Sequence, residues 1–186
     1  MIKRLLPLVA SLTAGAAWAA PVSYPLFFEP SPTIGQYLAR GKGYQSLVHA
    51  RGLDLQSAGR KIPIRWSHSR SSQVRPLDQQ QGVTNYFHGR DPEQWRTNIP
   101  HFSRMQWLGV FPGIDVVLYG NGTSLEFDVI LAPGANAADF EMDFGETSGV
   151  KLNPAGELQL SRELALKKPF AYSHSVPFAI KLLKCA

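Results

Sequence analysis

Cysteine is almost absent: Cys185, beside the C-terminus, is the only one in 186 residues. That count excludes an intramolecular disulfide and a thiolate metal cluster, so stability has to come from a hydrophobic core. Catalytic signatures are missing too. No HExxH, CxxC, GxSxG or GxxxxGKS/T pattern occurs. The nearest approach to a phosphate loop, Arg40-Gly41-Lys42-Gly43, lacks the hydroxyl residue and the following helix, and reads as a turn. His49, His68, His88, His101 and His174 are scattered without ligand spacing. No metal site and no cofactor is therefore expected. Long apolar segments at helical spacing are also lacking, and no run after the N-terminus approaches the roughly 20 apolar residues that a membrane helix needs.

At the N-terminus, Lys3 and Arg4 precede an apolar run from Leu5 to Trp18 that closes on Ala17-Trp18-Ala19. This charged, apolar and small-residue order is the layout of a secretory signal peptide, with cleavage expected after Ala19. The chain then divides into a signal peptide over 1–19, one β-rich domain over 20–172 and an atypical tail over 173–186. An exported location follows, whether extracellular, cell-surface or periplasmic, with no transmembrane segment left after cleavage.

The net charge of +5 hides an asymmetry. Arg40, Lys42, Arg51, Arg60, Lys61, Arg65, Arg70 and Arg75 stand against Asp54 alone, whereas the charged residues of 115–163 are Asp and Glu apart from Lys151 and Arg162. Either the two halves mix on one surface, or the basic half forms a patch for an envelope polyanion, whose field would act in a salt-dependent way. Export argues against nucleic acid as the partner.

Short apolar runs separated by Gly, Pro, Asn and Asp predict an all-β, antiparallel, sandwich-like fold of layered sheets, with long loops and little helix. Strands are expected near Phe27-Phe28, Tyr37-Leu38, Tyr44 to Ala50 and Lys61 to Ser67, the last at an edge because Pro63 cannot donate to a ladder. Ser67 to Gln81 has no apolar periodicity and reads as a long mobile loop. Ile114 to Tyr119 and Ser124 to Leu131 flank Gly120-Asn121-Gly122-Thr123, which predicts a hairpin turning at Asn-Gly. That register pairs Leu118 with Leu125 and Val116 with Phe127, leaving Ile114, Val116, Leu118, Leu125, Phe127 and Val129 on the core face. It also opposes Asp115 to Asp128, with Glu126 nearby, which needs compensation. An arginine such as Arg96 or Arg104, a solvated face, or a metal or catalytic site would each supply it. Asp91 can cap a short turn, and 132–139 reads as a turn with one helical turn. Phe140, Met142 and Phe144 alternate towards one face, and Asn153 to Gly156 signals a second hairpin.

Trp66, Trp95 and Trp107 fit either a sugar-stacking platform, with Arg96 beside Trp95, or a buried core, which Trp107 favours by alternating with Met105. The candidate site set is thus Trp66, Trp95 and Arg96 for a ligand, and Asp115, Glu126 and Asp128 as an acidic face.

A longer pattern joins these pieces: Asn85-Tyr86-Phe87, Asp91-Pro92, Trp95-Arg96-Thr97-Asn98, Gly113-Ile114-Asp115, Tyr119-Gly120-Asn121, Leu125-Glu126-Phe127-Asp128 and Ala132-Pro133-Gly134-Ala135. With Leu38-Ala39-Arg40-Gly41 before it and Lys168-Pro169-Phe170-Ala171-Tyr172 after it, this resembles the N-terminal domain of exported bacterial proteins that carry SBBP-type β-propeller repeats. The resemblance implies a β-rich module outside the cytoplasm, of unknown function and without an assigned active site, followed in relatives by propeller domains. Residues 174–186 depart from the expected continuation, as a truncated or frameshifted chain would. Three readings follow: a non-enzymatic accessory or interaction module whose partner is a cell-surface glycan or envelope protein, a carbohydrate-binding module, and a glycan-processing enzyme using the acidic face.

Overall fold

A computed structural model describes residues 25–66, 73–122, 124–145, 150–160 and 165–166. The expected signal peptide, the tail over 173–186, Lys168 to Tyr172, His68, His174 and Cys185 lie outside them. Among the described residues ten strands form one antiparallel sheet: β1 (Phe28–Pro30), β2 (Tyr37–Gly41), β3 (Tyr44–His49), β4 (Gly52–Ser57), β5 (Arg60–Trp66), β6 (Gln73–Tyr86), β7 (Arg96–Phe111), β8 (Ile114–Asn121), β9 (Ser124–Leu131) and β10 (Met142–Asp143). A second sheet of three short strands holds β11 (Lys151–Leu152), β12 (Leu158–Gln159) and β13 (Ala165–Leu166). Leu158, Leu160 and Leu166 join the core of the large sheet, which gives the layered, all-β arrangement. The only helical pieces described are single turns at Pro92–Gln94 and Ala137–Asp139, and no described helix is long and apolar enough to cross a membrane. Both turns begin at side-chain caps, Asp91 accepting from the Glu93 amide and Asn136 from the Ala138 amide.

Strands β2 to β5 form a meander joined by two-residue turns, and alternation sorts their side chains. Ala39, Ser46, Leu55 and Ile62 make one inward row of paired residues, and Val48, Leu53 and Ile64 another. Pro63 pairs with Asp54 on β4, while β10 meets β5 only at Arg65 and Trp66. The other side of Pro63 is thus unpaired among the described strands, which is where proline is tolerated.

Strand β7 organises the rest. Gln106 is paired with Arg75 of β6 and Val117 of β8, and Phe102 with Gln79 of β6 and Phe28 of β1. One edge of β7 therefore belongs to β6, and the opposite edge is divided between β1 and β8. Between the Trp107–Val116 and Phe111–Ile114 pairs β7 bulges outward, with Gly109 in the left-handed region at φ 59°. Trp107 lies edge-on to Trp66 at 5.3 Å, and Phe140 packs on Trp66 at 5.9 Å. The Trp107 indole donates to the His49 carbonyl at 2.8 Å, tying the β7 side of the core to the meander.

Two expectations change. The β8–β9 turn is shorter than predicted: Asn121 pairs with Ser124 and only residues 122–123 are left over, with Gly122 at φ 61° supplying the positive angle a tight hairpin needs. The register shifts by two, so Leu118 faces Phe127, Val116 faces Val129, and Asp115 faces Ile130 instead of Asp128. An even shift keeps every residue on its face, and Ile114, Val116, Leu118, Leu125, Phe127 and Val129 are all buried as expected. The predicted loop over 67–81 is also corrected. Residues 67–72 are not among those described, but 73–81 belong to β6, a strand whose faces are both largely exposed, so that no apolar alternation marks it.

The register makes a checkable distinction. Phe127→Ala, in the core, should cost about 3–5 kcal/mol in urea unfolding, whereas Ile130→Ala, on the opposite face, should stay within about 0.5 kcal/mol. Equal costs would contradict the stated pairing.

Candidate functional site

The face of the sheet turned away from the core carries the polar chemistry. Glu29 pairs with Leu38 on β2, so Glu29, Leu38 and Arg40 share this outer face, while Phe28 and Ala39 point inward. Glu29 is only 2% exposed. Its Oε1 accepts from Arg40 Nη1 and from the Tyr86 hydroxyl at 2.6 Å, and Arg40 Nη1 also donates to that hydroxyl at 2.9 Å. Burial, then the neighbouring Glu29, push the Tyr86 hydroxyl above its ordinary pKa, which keeps it a donor. Oε2 of Glu29 is buried without a hydrogen-bond partner. This triangle joins β1, β2 and the end of β6, segments 57 residues apart in sequence.

Around Tyr86 the aromatic and guanidinium groups gather. Arg96 is its cross-strand partner, with its guanidinium carbon 6.0 Å from the ring centre, and Arg40 approaches to 5.8 Å. Arg96 Nη2 donates to the Pro30 carbonyl at 2.8 Å. His88 stacks parallel to Tyr86, and beside them Phe87 and Trp95 meet edge-on at 5.1 Å with 63% and 37% exposure. His101 stacks on Phe27 at 3.6 Å and bonds the Thr84 hydroxyl at 2.6 Å, with burial lowering its pKa.

Further along the same face Asp54 is held by Arg65 and by Lys61 at 3.1 Å, with His49 at 3.9 Å. Burial opposes ionisation of Asp54, but the hydrogen bonds and charges of Arg65 and Lys61 outweigh it and keep the carboxyl below its ordinary value.

Asp115, Glu126 and Asp128 share the face opposite the core, and each is bonded to a different neighbour. Asp115 accepts the Gly109 amide at 2.7 Å, which fastens the bulge of β7, and accepts from Gln106 at 3.3 Å. Gln106 in turn accepts from Arg75 at 2.8 and 3.1 Å. Asp128 faces Val117 and accepts the Tyr119 hydroxyl at 3.1 Å; burial, reinforced by Glu126, raises its pKa. Glu126 accepts from Asn121 at 3.0 Å. Arg75 reaches Asp115 through Gln106, Arg104 pairs with Asp78 and offsets only part of the rise in the Asp128 pKa, and Arg96 lies against Tyr86. Among the described residues no three His, Cys, Asp or Glu side chains stand together as a metal set.

Trp66 and Trp95 separate as well. Trp66 is 5% exposed between Trp107 and Phe140, so its ring has no free face for a sugar, whereas Trp95 remains at the surface beside Arg96. Glu29, Arg40 and Tyr86 were not singled out as a site by sequence reasoning. Glu29 follows Phe28 in a three-residue strand, too short for a pattern to show that its side chain would be buried.

Residues 26–178 match a family described as a domain of unknown function, DUF7948. The chain belongs to that family. No curated protein and no solved structure matches it. In this DUF7948 chain the matched span contains every residue of the outer face just described.

Two measurements test the site's energetics. Tyr86→Phe removes one of the donors to a buried carboxylate and should lower stability by about 1–3 kcal/mol in urea unfolding; an unchanged midpoint would show that the triangle does not hold β6 in place. A carboxyl whose folded pKa is depressed contributes stability above its unfolded pKa, which is lost as pH falls through the folded value. Wild-type stability should therefore drop from about pH 4 downward, with a shallower slope in Asp54→Asn.

Proposed function

We propose that this domain is an exported, non-enzymatic interaction module, normally placed ahead of β-propeller repeats in a larger surface or secreted protein, and that its ligand is a cell-surface glycan. The observation that carries the binding reading is the exposed Phe87–Trp95 pair set against Tyr86, His88, Arg96 and Arg40. Aromatic faces supply stacking area for sugar rings, and guanidinium forks supply orienting hydrogen bonds. The Lys3-Arg4 start, the apolar run and Ala17-Trp18-Ala19 support export. The resemblance to SBBP-repeat proteins supports the propeller neighbour.

The glycan-processing alternative is less well supported. Paired carboxylates in glycoside hydrolysis act as acid with base or nucleophile across a sugar. Here Asp115 caps a bulge, while Asp128 and Glu126 bond Tyr119 and Asn121.

A glycan array probed with the purified full chain should give binding that falls about tenfold, the equivalent of about 1.4 kcal/mol, in Trp95→Ala or Phe87→Ala. A broad hydrolase panel should show no turnover. Activity abolished by Glu126→Gln or Asp128→Asn would sink the interaction-module reading in favour of the enzyme.

A further inference from the structure

Arg40, Gln45, Gln56 and Lys61 are successive cross-strand partners on β2, β3, β4 and β5, and all four are exposed. They form one straight row across the strands, about 14 Å long at about 4.8 Å per strand. Its two ends are cationic. Arg40 spends Nη1 on Glu29 and Tyr86 and keeps Nε and Nη2 without a partner among the described residues. Arg96, next along at Tyr86, spends only Nη2 among the described residues. Lys61 at the far end contacts Asp54 but is 68% exposed.

Acids near the row are already matched. Glu29 is covered by Arg40 and Tyr86, and Asp54 by Arg65 and Lys61. Arg40, Lys61, Arg65 and Arg96 against Glu29, Asp54 and Asp143, the cross-strand partner of Arg65, leave the face net positive, so its charge complements an anion. The middle of the row is different in kind. Gln45 and Gln56 bond no other side chain among the described residues, and each amide offers donors and an acceptor together. That pair suits hydroxyl groups better than a second anion. A nucleic acid, with a phosphate at every nucleotide, or a polyuronate, with a carboxylate on every sugar, would set charge over the glutamines; a chain in which uronic acids alternate with neutral sugars sets hydroxyls between its carboxylates.

We propose that an acidic, carboxylate-bearing polysaccharide lies across the strands on this row, with its carboxylates at Arg40 and Arg96 and at Lys61, and its hydroxyls on Gln45 and Gln56. The inference rests on the glycan-binding reading and deepens it by naming the polymer class and the track it follows.

Sodium hyaluronate, in which a uronic acid alternates with a neutral sugar, is the probe, titrated into the full chain by calorimetry, with neutral dextran and single-stranded DNA as comparators, at about 50 and about 300 mM salt. Hyaluronate should bind, weaken with salt, and weaken about tenfold in Gln56→Glu and in Gln45→Glu, which place a carboxylate in the row at exposed positions. An unchanged thermal midpoint in both variants is the check on folding. Four results would overturn the proposal: no hyaluronate binding, binding untouched by Gln56→Glu and Gln45→Glu, dextran binding as tightly as hyaluronate, or single-stranded DNA binding as tightly with the same sensitivity to both variants. Loss of dextran and hyaluronate binding in Trp95→Ala but not in Gln56→Glu would remove the row and leave the glycan-binding module standing.

Discussion

One strand with two edges and three claimants sets the shape of this domain. Because β6 occupies one edge of β7 from Arg96 to Leu108, the other edge has to serve both β1 at Phe102 and β8 from Arg104 onward. A flat sheet cannot accommodate that division, since β1 leads into the meander of β2 to β5 and β8 leads into β9. The two subsheets must diverge from β7, and apolar burial draws their inner faces together. Trp66 of β5, Trp107 of β7 and Phe140 meet where they converge. The bulge at Gly109 belongs to the same constraint. It re-aims the end of β7 so that Val110 stays buried while Gly109 is exposed, and Asp115 takes up the Gly109 amide. The acid at 115 is thus a consequence of how β7 is shared.

On the outer face the same division creates a seam between β1–β2 and the far end of β6. Glu29 closes it. A carboxylate sealed from water is costly unless donors surround it, and Arg40 and Tyr86 supply them from the two sides of the seam. Fixing Arg40 in this way leaves its remaining donors at a set height above the sheet, and fixing Tyr86 presents its ring to Arg96 and His88. The structural bond and the binding surface use the same side chains, with different atoms.

How legible this was in the sequence depends on whether the signal repeats. The β8–β9 hairpin shows six apolar residues at alternate positions, and alternation has only two phases; a turn read two residues too long still assigned every face correctly, although it paired the wrong residues. β6 carries no such signal. Gln73, Arg75, Gln79 and Gln81 are solvated and only Val74, Leu77 and a few others are partly covered, so a strand held by its backbone pairing to β7 looks like a loop. The tryptophans divide for a related reason. Trp66 alternates with Ile62 and Ile64 and is buried with them, whereas Trp95 stands at the end of a single helical turn, outside any period. The Glu29 triangle was illegible because it depends on register between strands distant in sequence, which no local pattern records.

Charge shows the same contrast between composition and arrangement. The basic excess from Arg40 to Arg75 admitted a mixed surface or a polyanion patch, and pairing partners decide how its residues are used. Arg65 is bonded to Asp54 and to the carbonyls of Leu53 and Ile64, and Arg75 to Gln106. These two are committed to holding the sheet. Arg40, Arg96 and Lys61 keep donors or exposure after their structural bonds are counted, and strand register sets Arg40 and Lys61 at opposite ends of a row with two glutamines between them. Net charge alone would attract any anion; cations held apart by neutral amides select a chain whose own charges are spaced by hydroxyls.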